Sequence, residues 1–163
     1  MKKFLFGMFM MLTCMSASAQ QGEKAVGATL SYGTEIENLG VGVKGQYYFT
    51  DRFRGEASFD YFFKKNYLSM WDLNANLHYL IDLSDDWKVY PLAGLGYTNW
   101  TVSGIEIEGL KSSSASTGKI AVNLGGGIQY DLSERLKLNA ELKYQIINNY
   151  NQVVLGVGFA YHL

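Results

Sequence analysis

A chain of 163 residues with 14 Lys and Arg against 15 Asp and Glu suits one domain, and a formal charge of −1 gives it no basic face for a nucleic-acid partner. Aromatic residues make up 15%, and 18 glycines stand against one proline, a balance foreign to helical proteins and natural where strands crowd together. Beyond the start of the chain no window of about eighteen residues is apolar and uncharged, so no helical membrane span is expected.

The start reads as an address. Lys2 and Lys3 form a positive region, Phe4 to Leu12 an apolar one, and Ala17-Ser18-Ala19 a small-residue cleavage site. Residues 1–19 are expected to be a cleaved signal peptide and residues 20–163 the mature domain. Losing the two lysines moves the formal charge to −3. The single cysteine, Cys14, falls in the removed segment, so no disulfide is expected. Lipid attachment at Cys14 is the rival reading, and Met11-Leu12-Thr13 fits it poorly.

Eight strands follow. The first spans about Ala25–Tyr32, with Val26, Ala28, Leu30 and Tyr32 on one apolar row. The second, Gly40–Phe49, sets Val41, Val43, Tyr47 and Phe49 against Gly42, Lys44, Gln46 and Tyr48. The third, Phe53–Phe62, carries Arg54, Glu56, Ser58 and Asp60 opposite Phe53, Ala57, Phe59 and Tyr61. In the fourth, Trp71–Ile81, Leu73, Ala75, Leu77, Tyr79 and Ile81 oppose Asp72, Asn74, Asn76 and His78. The fifth runs Trp87–Tyr97. Pro91 inside it lacks a donor, so a bulge or a locally unpaired carbonyl is expected there. The sixth, Lys119–Tyr130, has Ile120, Val122, Leu124 and Ile128 outside, with Asn123, Gly125, Gly127 and Gln129 inside. The seventh, Leu136–Tyr144, alternates Leu136, Leu138, Ala140 and Leu142 with Lys137, Asn139, Glu141 and Lys143. All are two-faced by the period-two rule.

The last strand, Asn151–Leu163, closes the scheme. Val153, Leu155, Val157, Phe159, Tyr161 and Leu163 make one unbroken apolar row, and Gln152, Val154, Gly156, Gly158, Ala160 and His162 make a small or polar one. About ten residues is what a tilted strand needs to cross a bilayer. An apolar edge strand invites aggregation, so it is expected to pair with the first strand. The fold expected is all-β: a closed, eight-stranded, antiparallel, up-and-down transmembrane β-barrel.

Connections alternate in length. Tyr48–Phe53, Asp82–Trp87 and Asp131–Leu136 form a faint repeat of acidic short turns. The longer loops are 33–39, 63–70 (with Lys64 and Lys65), 98–117 and 145–150. Short turns at one rim and long loops at the other is the layout of outer-membrane barrels. With an even strand number both termini are expected at the periplasmic rim. Phe49, Phe53, Tyr79, Trp87, Tyr130 and Tyr161 are expected to girdle that rim, and Tyr32, Tyr61, Trp71, Tyr97 and Tyr144 the other. A soluble ligand-carrying barrel would exchange the faces, and every strand here has a row almost free of charge.

These features resemble the small eight-stranded outer-membrane barrels of the OmpA and OmpX type, in the porin-like class. The resemblance covers the mature chain. It implies the outer membrane of a Gram-negative bacterium, contact with its lipids, and insertion by the barrel-assembly machinery. Gly158, Tyr161 and Leu163 match the spacing of the terminal assembly signal, with Leu163 where an aromatic is usual.

The inward row holds the candidate chemistry. Lys44, Arg54, Lys88, Lys137 and Lys143 face Glu56, Asp60, Asp72 and Glu141, with Asn74, Asn76, His78, Asn123, Gln129 and Asn139 between them. Eight strands leave an interior that side chains can fill, and opposed charges lock together, so a plug is favoured over a pore. A narrow pore for small solutes is the alternative. A lipid-modifying enzyme is the third reading; Ser31, Ser58 and Ser69 stand at no spacing that links them to His78 or His162. No cofactor is expected, and two histidines on distant strands suggest no metal site. Any extracellular ligand is expected at the long loops, above all 98–117, where Trp100, Ile105 and Ile107 sit with Glu106, Glu108 and a serine tract. Ile105–Glu108 alternates as if to extend the strands. Gly125-Gly126-Gly127 is read as relief of crowding, not a phosphate loop.

Overall fold

The computed structural model describes residues 22–65, 68–102, 115–148 and 150–163. The expected signal peptide and Ile105–Glu108 lie outside them. Nine strands are assigned: β1 Lys24–Gly33, β2 Asn38–Tyr48, β3 Phe53–Lys65, β4 Leu68–Tyr79, β5 Ile81–Asp82, β6 Trp87–Val102, β7 Ala115–Asp131, β8 Leu136–Ile147 and β9 Gln152–His162. β5 continues β4, so the barrel has eight staves. Every neighbour pairs antiparallel, β1 closes on β9, and β4 closes on β6. Closure leaves no edge at membrane depth, the condition a spanning sheet must meet.

The period-two pattern sets the faces. Leu73, Leu95, Leu124, Leu142 and Val157 point outward, whereas Arg54, Asp72, His78 and Asn123 point inward and are buried. The three short turns share one geometry: the amides of Phe49 and Thr50 donate to Phe53 O, those of Leu83 and Ser84 to Trp87 O, and those of Leu132 and Ser133 to Leu136 O. Thr50 Oγ1 and Ser133 Oγ accept further amides inside their turns. The acidic repeat is thus a repeat of structure.

Aromatics band both rims. Near the short turns Phe53 meets Tyr79 at 5.1 Å and Trp87 meets Tyr130 at 4.7 Å between ring centres. Near the other rim Trp71 lies 5.7 Å from Tyr97 and 6.0 Å from Phe59.

One expectation is corrected, and of the two alternatives expected at Pro91 only the bulge is ruled out. The strands run further into the long-loop rim than the alternation indicates: 63–65, 68–70, 98–102, 115–118 and 145–147 are strand. Above the membrane both faces are wet, so polar residues such as Ser116 and Thr117 carry no apolar row to mark them. Pro91 produces no bulge. It pairs with Gly126, and the His78–Leu92 and Ile81–Val89 pairs share one register across it. The ladder is instead interrupted at Leu80, beside the place where Pro91 has no N–H to give. The register shift found lies between Phe62 and Lys65, at the top of β3.

Candidate functional site

The interior is built in tiers from the inward residues of all eight staves. Nearest the long loops, Phe62, Met70 and Val154 form a buried apolar cluster with Ile36 and Trp100 against it. Below it Gln152 Nε2 donates to Gln145 Oε1, and Gln145 Nε2 donates to Asp72 Oδ2 (3.2 Å) and Asn74 Oδ1 (3.3 Å). Asn123 Nδ2 donates to Asn74 and Asn76, both at 2.9 Å. Ser31 and Ser58 give their hydroxyls to Asp60.

The central tier turns on Arg54, which is 1% exposed. Its Nε and Nη2 donate to His78 Nδ1 at 3.2 and 2.8 Å, and its Nη1 donates to Gln129 Oε1 (2.6 Å) and Tyr48 Oη (3.1 Å). The guanidinium also lies 4.7 Å from the Tyr90 ring centre, and Tyr90 stacks on His78 at 4.8 Å. Around this core Gln46 Nε2 donates to Glu56, Tyr90 Oη donates to Glu141, and Lys44 Nζ lies 3.9 Å from Glu56. Towards the short turns Leu80, Tyr90 and Leu92 form a second buried apolar cluster, with Tyr48 packed on it.

Lys88 and Lys137 sit apart from this centre. Lys88 pairs with Asp82, and Lys137 with Asp131 at 2.8 Å, both at the short-turn mouth. Lys88 holds the exposed Asp82 carboxyl below the usual carboxylate range, through its hydrogen bond first and its charge second. His162 lies there too, 3.2 Å from both Glu23 and Tyr48 Oη. The mouth is an open recess of about 560 Å³. Among the charged lumen, by contrast, the cavity lined by Lys44, Glu56, Asp60, Glu141 and Lys143 measures about 20 Å³, room for about one water.

Glu56, His78 and Glu141 bring ligand atoms within 4.8 Å of one another, a convergence that sequence spacing does not reveal. The arrangement does not suit a metal. Arg54 can only donate, so His78 Nδ1 accepts, and the neutral ring must carry its proton on Nε2. The nitrogen aimed at the two carboxylates then has no lone pair to give. Nor, among the described residues, does either histidine hydrogen-bond a serine. The hydrogen-bond partner of His78 is Arg54, those of His162 are Tyr48 and Glu23, and Ser69 stands on β4 beside Thr101.

Sequence reasoning missed Tyr90, Gln145, Thr98 and the inward apolar residues Phe62, Met70, Leu80 and Leu92. The one available signal was parity: each falls on the same even or odd count as the polar residues of its strand. Gly127 belongs to the same story. A Cβ there would stand 2.5 Å from the Tyr90 ring, so its hydrogen makes room for the stack. Gly127→Val is expected to cost about 1–3 kcal/mol, as overpacking does, read as a lower urea midpoint of the refolded barrel. An unchanged midpoint would show that Tyr90 moves freely.

A closed barrel with a polar interior, an apolar exterior and two aromatic girdles has the build of an outer-membrane barrel. The chain belongs to the outer membrane protein beta-barrel domain family, whose model matches residues 7–162; this places it in the outer membrane of Gram-negative bacteria. No curated protein matches it in sequence. Among solved structures, the N-terminal β-barrel domain of Pseudomonas aeruginosa OprF superposes with a TM-score of 0.73 at 18% identity, covering 88% of this chain and 98% of that one. Ail, the attachment invasion locus protein of Yersinia pestis, gives 0.63 at 16%, covering 88% and 100%. Neisserial surface protein A gives 0.67 at 15%, covering 88% and 98%. At these identities the likeness is one of fold.

Proposed function

We infer that this protein is a non-enzymatic outer-membrane barrel whose lumen is sealed and whose working surface is the long-loop rim, held outward with both termini in the periplasm. The observation that carries the reading is the 20 Å³ cavity amid the charged lumen. An ion path needs a continuous file of water, and one water's room bracketed by two buried apolar clusters argues against such a file. The near balance of Lys44, Arg54 and Lys143 against Glu56, Asp60, Asp72 and Glu141 supports a locked network over a one-sign pore. With the interior filled, binding is left to the rim, where loops stand on a rigid scaffold. Ail, which shares the fold, is named for attachment and has been solved with the heparin analogue sucrose octasulfate. Lipids cover the outer face, and the terminal row through Gly158, Tyr161 and Leu163 suits recognition by the assembly machinery.

Planar-bilayer recording on refolded protein tests the seal, once boiling is seen to shift its gel mobility. A folded, silent barrel is the expected result. Steady conductance steps would overturn it in favour of the narrow pore.

A further inference from the structure

The short-turn mouth is a recess of about 560 Å³ that neither the seal nor the long-loop rim uses. Its charged residues come from the inner rows of several staves. Lys88 of β6 pairs with Asp82 of β5, and Lys137 of β8 with Asp131 of β7 at 2.8 Å. Further round the rim, His162 of β9 stands 3.2 Å from Glu23, just ahead of β1. The floor is apolar at Leu80 and Tyr48, which belong to the lower buried cluster.

Depth sorts these charges. Side-chain exposure is 24% at Lys88 and 15% at Lys137, against 66% at Asp82 and 77% at Glu23. Among the described carboxylates of the recess only Asp131, at 16%, lies as deep as the lysines, and Gln129 Nε2 also donates to it at 2.7 Å. Behind them Arg54 Nη1 donates to both Tyr48 Oη and Gln129 Oε1. Cations therefore stand inside and free carboxylate surface stands at the lip.

The pairing decides what can enter. A simple anion would draw Lys88 from Asp82, and a simple cation would draw Asp82 from Lys88; either leaves one charge without its partner. A molecule that carries both charges replaces partner for partner. Opening the Lys88–Asp82 pair costs little, because an ion pair with so exposed a carboxylate contributes little to begin with. Lys137 has three N–H donors and spends one on Asp131, so it can share an incoming carboxylate with Lys88.

We propose that the short-turn mouth is a binding site for a short peptide with both ends free. Its C-terminal carboxylate lies inward against Lys88 and Lys137, its ammonium lies at the lip against Asp82 and Glu23, and an apolar side chain rests on Leu80 and Tyr48. The recess falls inside the usual range of small-ligand sites, about 300–1,000 Å³, and leaves room for about two or three residues. Nothing has to pass through the lumen, so the site depends neither on the seal nor on which way the barrel faces.

The test uses the refolded barrel in micelles and the dipeptide leucyl-phenylalanine as probe, with binding read by calorimetry and by amide shifts at Lys88 and Lys137. A dissociation constant of about 1 mM or tighter is expected. Acetylating the peptide's N-terminus or amidating its C-terminus should each weaken binding at least about tenfold, since each removes a charge-assisted contact. Partition into the micelle runs the other way, because capping makes the peptide more apolar. Lys88→Met should weaken binding as much as the C-terminal amide does, while Lys119→Met, at the opposite rim, should leave it unchanged. The capped peptides are compared on the wild-type chain, so that result stands even where Lys88→Met folds poorly. Free and capped peptides that bind alike, a folded Lys88→Met that binds as tightly as wild type, or no binding at about 10 mM peptide would overturn the proposal.

Discussion

Replacing Arg54 with alanine is expected to destabilise the lipid-reconstituted barrel by about 3–5 kcal/mol, the range found when one member of a buried charged network is deleted. The loss has identifiable parts. His78 Nδ1 and Gln129 Oε1 would each lose a charged donor, and a buried acceptor left unpaired costs about 1–3 kcal/mol. The guanidinium's packing over Tyr90 would go as well. Equilibrium urea unfolding in vesicles, followed by tryptophan emission, measures the change. Arg54→Lys should fall between wild type and alanine, because an ammonium cannot serve His78 and Gln129 with one planar fork. A loss below about 1 kcal/mol for Arg54→Ala would mean that water replaces the guanidinium, which would count against the proposed seal.

The Arg54 network also marks where the sequence stops being readable. Alternation assigns Arg54, His78 and Gln129 to the inner row, because a strand's period is two and one face meets lipid. It does not say that Arg54 reaches Gln129 across 75 residues of chain, since that depends on the stagger of strands that are not neighbours. Alternation also works by contrast. Phe62, Met70 and Leu92 sit on the inner row among polar residues, and an apolar residue there reads as noise in the pattern instead of as the lid or floor of the polar core. The strand ends failed for a related reason. At Ala115–Gly118 the chain has left the membrane, no face is held to hydrocarbon, and Ser, Thr and Gly look like loop even as they pair with β6. Pro91 was legible as a defect, and the sheet resolved it by leaving out one link of the ladder at Leu80.

Leu124→Arg carries the second large effect. Leu124 is 46% exposed on the outer row, paired with Ala93 on one side and Tyr144 on the other. It lies on β7 between Tyr130 of one girdle and Ile120, the partner of Tyr97 of the other, so it faces the middle of the bilayer. An arginine there is expected to cost about 2–4 kcal/mol, whereas the same change at Leu83, on a short turn beyond the girdle, should cost about 0–1 kcal/mol. Urea unfolding in vesicles reads both variants. The difference between them is the informative quantity, because an exposed Leu→Arg change on a water-facing surface falls within about 0.5 kcal/mol wherever it is made. A depth-dependent penalty means the apolar rows are a lipid surface and the inward charges have nowhere else to go. Equal, small penalties at Leu124 and Leu83 would mean that water reaches both positions and that the apolar rows are not a lipid surface.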